Sequence, residues 1–375
     1  MRWDIFCKVI DNFGDIGVTW RLARQLQHEH GYQVRLWVDE LEAFYAICPA
    51  AANTLQRQTI EHVEIYTWNE YNLQIAQAAD VVIEAFACEI PASYLDKMRE
   101  KALKPLWLNL EYLTAQTWAA DCHALPSMQG AGLSKFFFFP GFSEAVGGLL
   151  RERDLIAQRD AFIASPQAQA TFLASLGVKK AEGRQLISLF AYENEAVASW
   201  LDALSVQPQK NHVLVPRSKV LSSVQAWLGA ELSRGKVVQR GQLNIQLIEF
   251  VEQREFDKLL WCCDVNCVRG EDSLVRAIWA GKPFVWHIYP QDDDAHWDKL
   301  NAFLELYLAT TPEPIKTYIS QFFIDWNAQQ ITATSWKCWQ ENWVQIQAVT
   351  ENFTNQQIKL PDLASRLANF HKNWL

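Results

Sequence analysis

Two short segments carry the side chains best suited to chemistry. The first is Asp11-Asn12-Phe13-Gly14-Asp15-Ile16-Gly17, with two carboxylates one helical turn apart. Such acids suit proton abstraction or the orientation of a cationic group. They suit a phosphate cradle poorly, because they repel the anion. Gly14 and Gly17 allow close backbone approach or a positive φ, and amides at the start of a following helix can hold an anion. The spacing departs from G-x-G-x-x-G, so a dinucleotide fingerprint fits badly. The bland alternative is an N-cap aspartate followed by a turn aspartate.

The second segment is Arg269-Gly270-Glu271-Asp272-Ser273. Gly270 permits a tight turn, and Asp272 or Ser273 can cap the helix that follows. Free amides at a helix start favour a phosphate, and Arg269 can add a bidentate contact to a diphosphate. That pair would stabilise charge on a departing nucleotide. Glu271 is the odd member, since a carboxylate beside a phosphate site usually binds sugar hydroxyls. A surface salt bridge with a helix cap would explain the same residues without function. Tyr192 and Phe250 follow strands at the same end and could sandwich a base, although core packing explains either one equally well. Gln253 could hydrogen-bond a pyrimidine edge. Asp292, Asp293 and Asp294 could hold magnesium, but an arginine already supplies positive charge, so a solvated acidic loop is the better reading. His287 and His296 have no triad partner and read as structural.

These segments need elements to position them. Trp3–Ile10 reads as a strand, Val18–His30 as a helix stopped by Gly31, and Gln33–Val38 as the next strand. This βαβ opening implies a parallel sheet. Strands follow at Val63–Tyr66, Val81–Ala85 and Pro105–Leu110, with helices at Glu40–Tyr45, Tyr71–Ala78 and Ala92–Lys101. The Phe run in Lys135–Phe142 reads as a buried edge entering a connector. A second series begins near Gln185. Its strands are Gln185–Phe190, His212–Val215, Gln246–Phe250, Asp264–Val268 and Pro283–Ile288. Its helices are Glu195–Leu204, Leu221–Leu232, Glu252–Cys262, Ser273–Ala280 and Ala295–Tyr307. The pattern predicts an α/β fold of two Rossmann-like, doubly wound domains facing across a cleft, with both chemical segments at carboxyl ends of strands.

Composition limits the partners. The 375 residues are too many for one ordinary core. The 17 Trp and 20 Phe supply buried area, so most belong to cores. A net charge of −9 with no Lys/Arg run argues against sequence-independent nucleic-acid binding. No window of about 18 uncharged apolar residues spans a membrane, and the N-terminus has no h-region. The eight cysteines are dispersed, without a second Cys or His pair at zinc-ligand spacing. They read as reduced, buried thiols of a cytoplasmic protein.

The stretches WDIFCKVIDNFGDIGVTWRLARQL and RGEDSLVRAIWAGKPFVWHIYPQDDDAH resemble the protein-arginine rhamnosyltransferases that modify elongation factor P, the EarP family. The resemblance spans essentially the whole chain. It implies a GT-B fold with an acceptor-binding domain over 1–155, a nucleotide-sugar-binding domain over 156–345, and C-terminal helices over 346–375 crossing back to the first domain. It implies the donor dTDP-β-L-rhamnose, an inverting reaction with no metal or other cofactor, and one arginine in the N-terminal domain of elongation factor P as acceptor. By position the family's functional acids fall on Asp11, Asp15 and Glu271. Donor contacts fall on Asn12, Phe13, Gly14, Asp15, Gly17, Tyr192, Phe250, Gln253, Arg269, Gly270, Glu271, Asp272 and Ser273. The residues alone leave other readings open. They are a GT-B transferase with a small-molecule or lipid-linked acceptor, a nicotinamide-dependent oxidoreductase lacking its fingerprint, and a non-enzymatic binding module.

Overall fold

The computed structural model describes residues 1–10, 13–52 and 55–374. The chain forms two compact units, Met1–Arg153 with Ile358–Leu375 and Asp154–Gln357. Among the described residues, no helix is long and apolar enough to cross a membrane.

The first unit is built on strands β1 (Arg2–Cys7), β2 (Gln33–Val38), β3 (Arg57–Ile60), β4 (Val63–Thr67), β5 (Val81–Ala85), β6 (Leu106–Leu110), β7 (Pro126–Gly130) and β8 (Leu133–Phe138). Their order is β3-β4-β2-β1-β5-β6-β8-β7. All neighbours are parallel except the hairpins β3–β4 and β7–β8 at the two edges. The central strands are continuous apolar runs because helices cover both faces. One polar exception is Asp4 of β1, which is fully buried. It accepts from Arg35 Nε at 3.0 Å and Nη2 at 2.5 Å, from Trp37 Nε1 at 3.0 Å and from the Tyr94 hydroxyl. Burial raises the Asp4 carboxyl above its usual value, and Arg35 opposes the rise. Removing either partner would leave a buried charge uncompensated.

The second unit carries β9 (Arg184–Leu189), β10 (Lys210–Pro216), β11 (Val237–Arg240), β12 (Leu243–Ile248), β13 (Val265–Arg269) and β14 (Phe284–His287), ordered β11-β12-β10-β9-β13-β14. Only β11–β12 is antiparallel. Trp200 packs edge-on to Trp326 and Trp336 beneath this sheet. The aromatic-rich composition is spent largely on such packing.

Several features depart from the sequence reading. The edge strands β3, β7 and β11 were not expected, because each is short and mostly polar. The turns of two of them show why they form: Glu61 and His62 adopt φ +50 and +64, and Ala131 and Gly132 +49 and +77, the geometry of two-residue primed turns. The Phe run is not a sheet edge, because β8 lies between β6 and β7. The helix expected over Leu221–Leu232 ends at Leu228, where Gly229 takes the left-handed cap.

The last segment of the first unit packs on its own sheet and first helix. Arg151 Nη1 and Nη2 donate to the carbonyls of Ile358 and Leu360 at 2.7 and 3.1 Å. The Leu363 amide donates to the Leu149 carbonyl at 2.9 Å. In the helix Leu363–Trp374, His371 meets Trp3, while Phe370 and Trp374 meet Phe136. Gly148 (φ +74) makes this approach possible, since a Cβ there would lie 2.5 Å from the Pro361 carbonyl. Gly148→Ala is therefore expected to cost about 2 kcal/mol or more of stability. The denaturant midpoint should fall, and an unchanged midpoint would mean this approach is not tight.

Candidate active site

In the first unit, β1 delivers the chain toward the helix Gly14–His30. Asp11 and Asn12 lie outside the described residues. Phe13 occupies the N-cap place, and the Gly17 amide donates to the Phe13 carbonyl at 3.0 Å. Gly14 and Gly17 are thus in the first helical turn, which corrects the positive-φ half of their reading and leaves close backbone approach as the other half. The helix begins four residues before Val18. Asp15 sits in that turn, 3% exposed. Its Oδ2 accepts from the Ile10 amide at 2.8 Å, which ties the exit of β1 to the helix. Its carbonyl accepts from Thr19 Oγ1 at 2.9 Å. Next to it, burial pushes the Cys7 thiol well up, and the Asp15 charge adds to the effect. Cys7 is therefore a protonated core residue rather than a nucleophile.

In the second unit, β13 ends at Arg269 and the helix Gly270–Ala280 follows at once. The helix begins at Gly270 rather than Ser273. Gly270 has φ +62, which glycine takes without steric cost. Arg269 holds the N-cap place, so neither Asp272 nor Ser273 is the cap. Ser273 Oγ instead accepts from the Arg269 amide at 3.1 Å. The Gly270 carbonyl accepts from Trp286 Nε1 at 2.8 Å. Asp272 is paired with Arg276 Nε at 2.8 Å, and Arg276 Nη1 reaches Asp257 at 2.6 Å. Two helices are locked by this triad. It also neutralises one of the two acids in the first turn. Glu271 is half-buried and meets Lys299 Nζ at 3.3 Å.

The Arg269 side chain is buried between aromatic rings. Its guanidinium carbon lies 4.8 Å from the Phe190 centroid and 4.7 Å from that of Tyr192. Phe250 and Phe256 pack on Phe190 at 6.4 and 5.4 Å. His287 and Tyr289 pack edge-on to Tyr192 at 5.2 and 5.5 Å. The exits of β9, β12, β13 and β14 therefore converge on one cation. Tyr192, Phe250 and Arg269 come together as the sequence reading grouped them. Gln253 is buried at the start of the helix Gln253–Cys262, immediately after the Phe250 loop. Phe190, Phe256, His287 and Tyr289 were missed as members of the group. For Phe190, His287 and Tyr289 the available signal was a position at or just beyond a strand end, shared with Tyr192, whereas Phe256 lies within the helix Gln253–Cys262. Asp293 and Asp294 are exposed and open the helix Ala295–Tyr307 from a left-handed turn. Among the described residues, no three His, Cys, Asp or Glu side chains converge as metal ligands.

A family model described as elongation factor P (EF-P) rhamnosyltransferase EarP matches residues 3–372. The chain belongs to the EarP family. A protein-arginine rhamnosyltransferase of Pseudomonas aeruginosa is 51% identical over 374 residues, covering 100% of this chain and 99% of that relative. A solved structure described as the structural basis for EarP-mediated arginine glycosylation of translation elongation factor EF-P matches with a TM-score of 0.73 and 37% identity. It covers 100% of this chain and 99% of its own. Acinetobacter baumannii MurG shares the fold at a TM-score of 0.50 and 12% identity, over 99% of each chain. The architecture is of GT-B type, as expected for an EarP member.

His287 yields a pH prediction. Burial, and then the Arg269 charge, lower its pKa from the ordinary 6.5 to about 3. The folded protein therefore takes up this proton later than the unfolded chain. The neutral imidazole's contribution is complete above pH 6.5 and is lost as pH falls toward 3. Between pH 6.5 and about 3, each pH unit of acidification costs about 1.4 kcal/mol from this residue. Chemical denaturation at pH 6.5 and 5 should show a smaller loss for His287→Gln than for the wild type. Equal losses would contradict the assignment.

Proposed function

We propose that the protein transfers L-rhamnose from dTDP-β-L-rhamnose, with inversion, to one arginine side chain in the N-terminal domain of elongation factor P, and so activates that translation factor. Family membership and the likeness to a protein-arginine rhamnosyltransferase of Pseudomonas aeruginosa support the sugar and the acceptor. The observation that carries the donor half is the buried Arg269 guanidinium, fixed between Phe190 and Tyr192 at the start of the helix Gly270–Ala280.

A cation held by two rings at a helix start is preorganised for an anion. Arg269 and the amides of Gly270 to Ser273 would hold the diphosphate and stabilise dTDP as it departs. Tyr192 and Phe250 would flank the base, and Gln253 would meet its polar edge. No metal is needed in this scheme, because the protein supplies the positive charge. Glu271 would orient the rhamnose ring or share in stabilising the developing positive charge.

The acceptor poses a harder problem. Guanidinium is a poor nucleophile, since its charge is delocalised and its pKa exceeds about 12. A carboxylate must localise the nitrogen lone pair and take a proton as the new bond forms. We assign the base role to Asp15 and the orienting role to Asp11. Backbone groups of Asn12 to Asp15 and Gly17 would approach the donor sugar. All eight cysteines are free thiols, in keeping with a cytoplasmic enzyme.

The reading is tested by incubating the protein with dTDP-β-L-rhamnose, elongation factor P and a metal chelator. Intact mass should show one added deoxyhexose on the acceptor, mapped to one arginine. An unmodified acceptor, or transfer abolished by the chelator, would overturn it.

A further inference from the structure

Beside the exit of β1, the first unit holds a second built feature. The turn after β5 places Phe86, Ala87 and Glu89 at φ +56, +53 and +57. Left-handed backbone at three non-glycine residues within four persists only where the surroundings enforce it. The surroundings are specific. The Cys88 thiol donates to the Phe6 carbonyl at 3.4 Å, which ties the turn to the strand leading to Asp15. Buried Glu84 accepts from the Glu89 amide at 3.2 Å, from Trp107 Nε1 at 3.0 Å and from Lys135 Nζ at 3.3 Å. On the other side stands Asn109, which is 1% exposed. Its Oδ1 accepts from the Ala87 amide at 3.1 Å, while its Nδ2 donates to Glu111 Oε1. The Phe86 ring stacks on Tyr112 at 4.6 Å with an interplanar angle of 18°. Phe86 is buried, whereas Glu111 and Tyr112 are half-exposed.

We infer that Glu111 and Tyr112, held by Asn109 and Phe86, read the guanidinium of the acceptor arginine. This rests on the reaction proposed above and adds the residues that select its acceptor. A carboxylate beside a flat, backed ring matches a planar cation, which can pair with the acid through its edge and stack through its face. A lysine ammonium fits such a site less well, because it offers neither a fork nor a plane. The wall also stands on the same unit, and at the same carboxyl end of the sheet, as Asp15. The strained turn is the joint between them: Cys88 touches β1, and Ala87 holds Asn109. Glu111 thus contributes recognition, while proton acceptance stays with Asp15.

The test is a double-mutant cycle read by calorimetry with the full chain and whole elongation factor P. Glu111→Gln retains an acceptor for Asn109 Nδ2 and removes only the charge. Against wild-type elongation factor P it should weaken binding roughly ten- to hundredfold. Against elongation factor P with the acceptor arginine replaced by alanine, it should cause no further loss. Tyr112→Leu should behave in the same way, and Tyr112→Phe should restore most of the affinity. dTDP binding should be unchanged throughout. Equal losses against both acceptors, or no loss against the wild type, would overturn the inference. Failure of wild-type transfer would sink the reaction itself while the cycle still reports on the wall.

Discussion

One hydrogen bond organises the first unit's chemistry. The Asp15 carboxylate accepts the Ile10 amide at 2.8 Å, and this closes the exit of β1 onto the helix that follows. The acid is nearly buried, so its position is set by the fold rather than by solvent-averaged rotamers. A carboxylate held still before a substrate arrives is what the base role proposed for Asp15 requires. The same constraint explains the early helix start: Asp15 can reach Ile10 while the first turn closes at Gly17.

The second unit solves the opposite electrostatic problem. Its cation, Arg269, is bracketed by rings that fix its plane, and a helix start adds amides pointing the same way. Acids near such a site would weaken anion binding, and the structure limits this. Asp272 is held by Arg276, and Glu271 by Lys299. Buried His287 stays neutral beside Arg269, so no second cation competes for its rings. The negative and positive machinery thus reside on separate units, each at the carboxyl ends of its own strands.

Much of this frame was readable from residue order. The alternation of apolar runs with helical periodicity gave both parallel sheets, because strands covered on both faces must be apolar throughout. The polar edge strands were not readable, since Arg57–Ile60 and Pro126–Gly130 bury little and form through their turns. In the first loop Gly14 and Gly17 are helical rather than at positive φ, one of the two roles expected of them. The nearness of Tyr192 and Phe250 to the Arg269 turn was anticipated by strand-end position, but the stacking of the guanidinium on the Tyr192 ring was not. Phe190 and His287 were not, because an aromatic or histidine at a strand end looks like core until the neighbouring exits are known. Glu111 carried no sequence signal at all. Its meaning comes from Asn109 and a turn whose backbone conformation is invisible in the residue types. The residues alone name neither a donor base nor a sugar; both expectations come from the family resemblance.

The claim on which the mechanism stands is that Asp15 accepts the proton from the attacking arginine. Asp15→Asn keeps an oxygen for the Ile10 amide and removes only the basicity. Single-turnover kinetics with saturating dTDP-β-L-rhamnose and elongation factor P should show a rate about 10²–10⁴-fold lower, with donor affinity preserved. A variant that turns over at close to the wild-type rate would contradict the account.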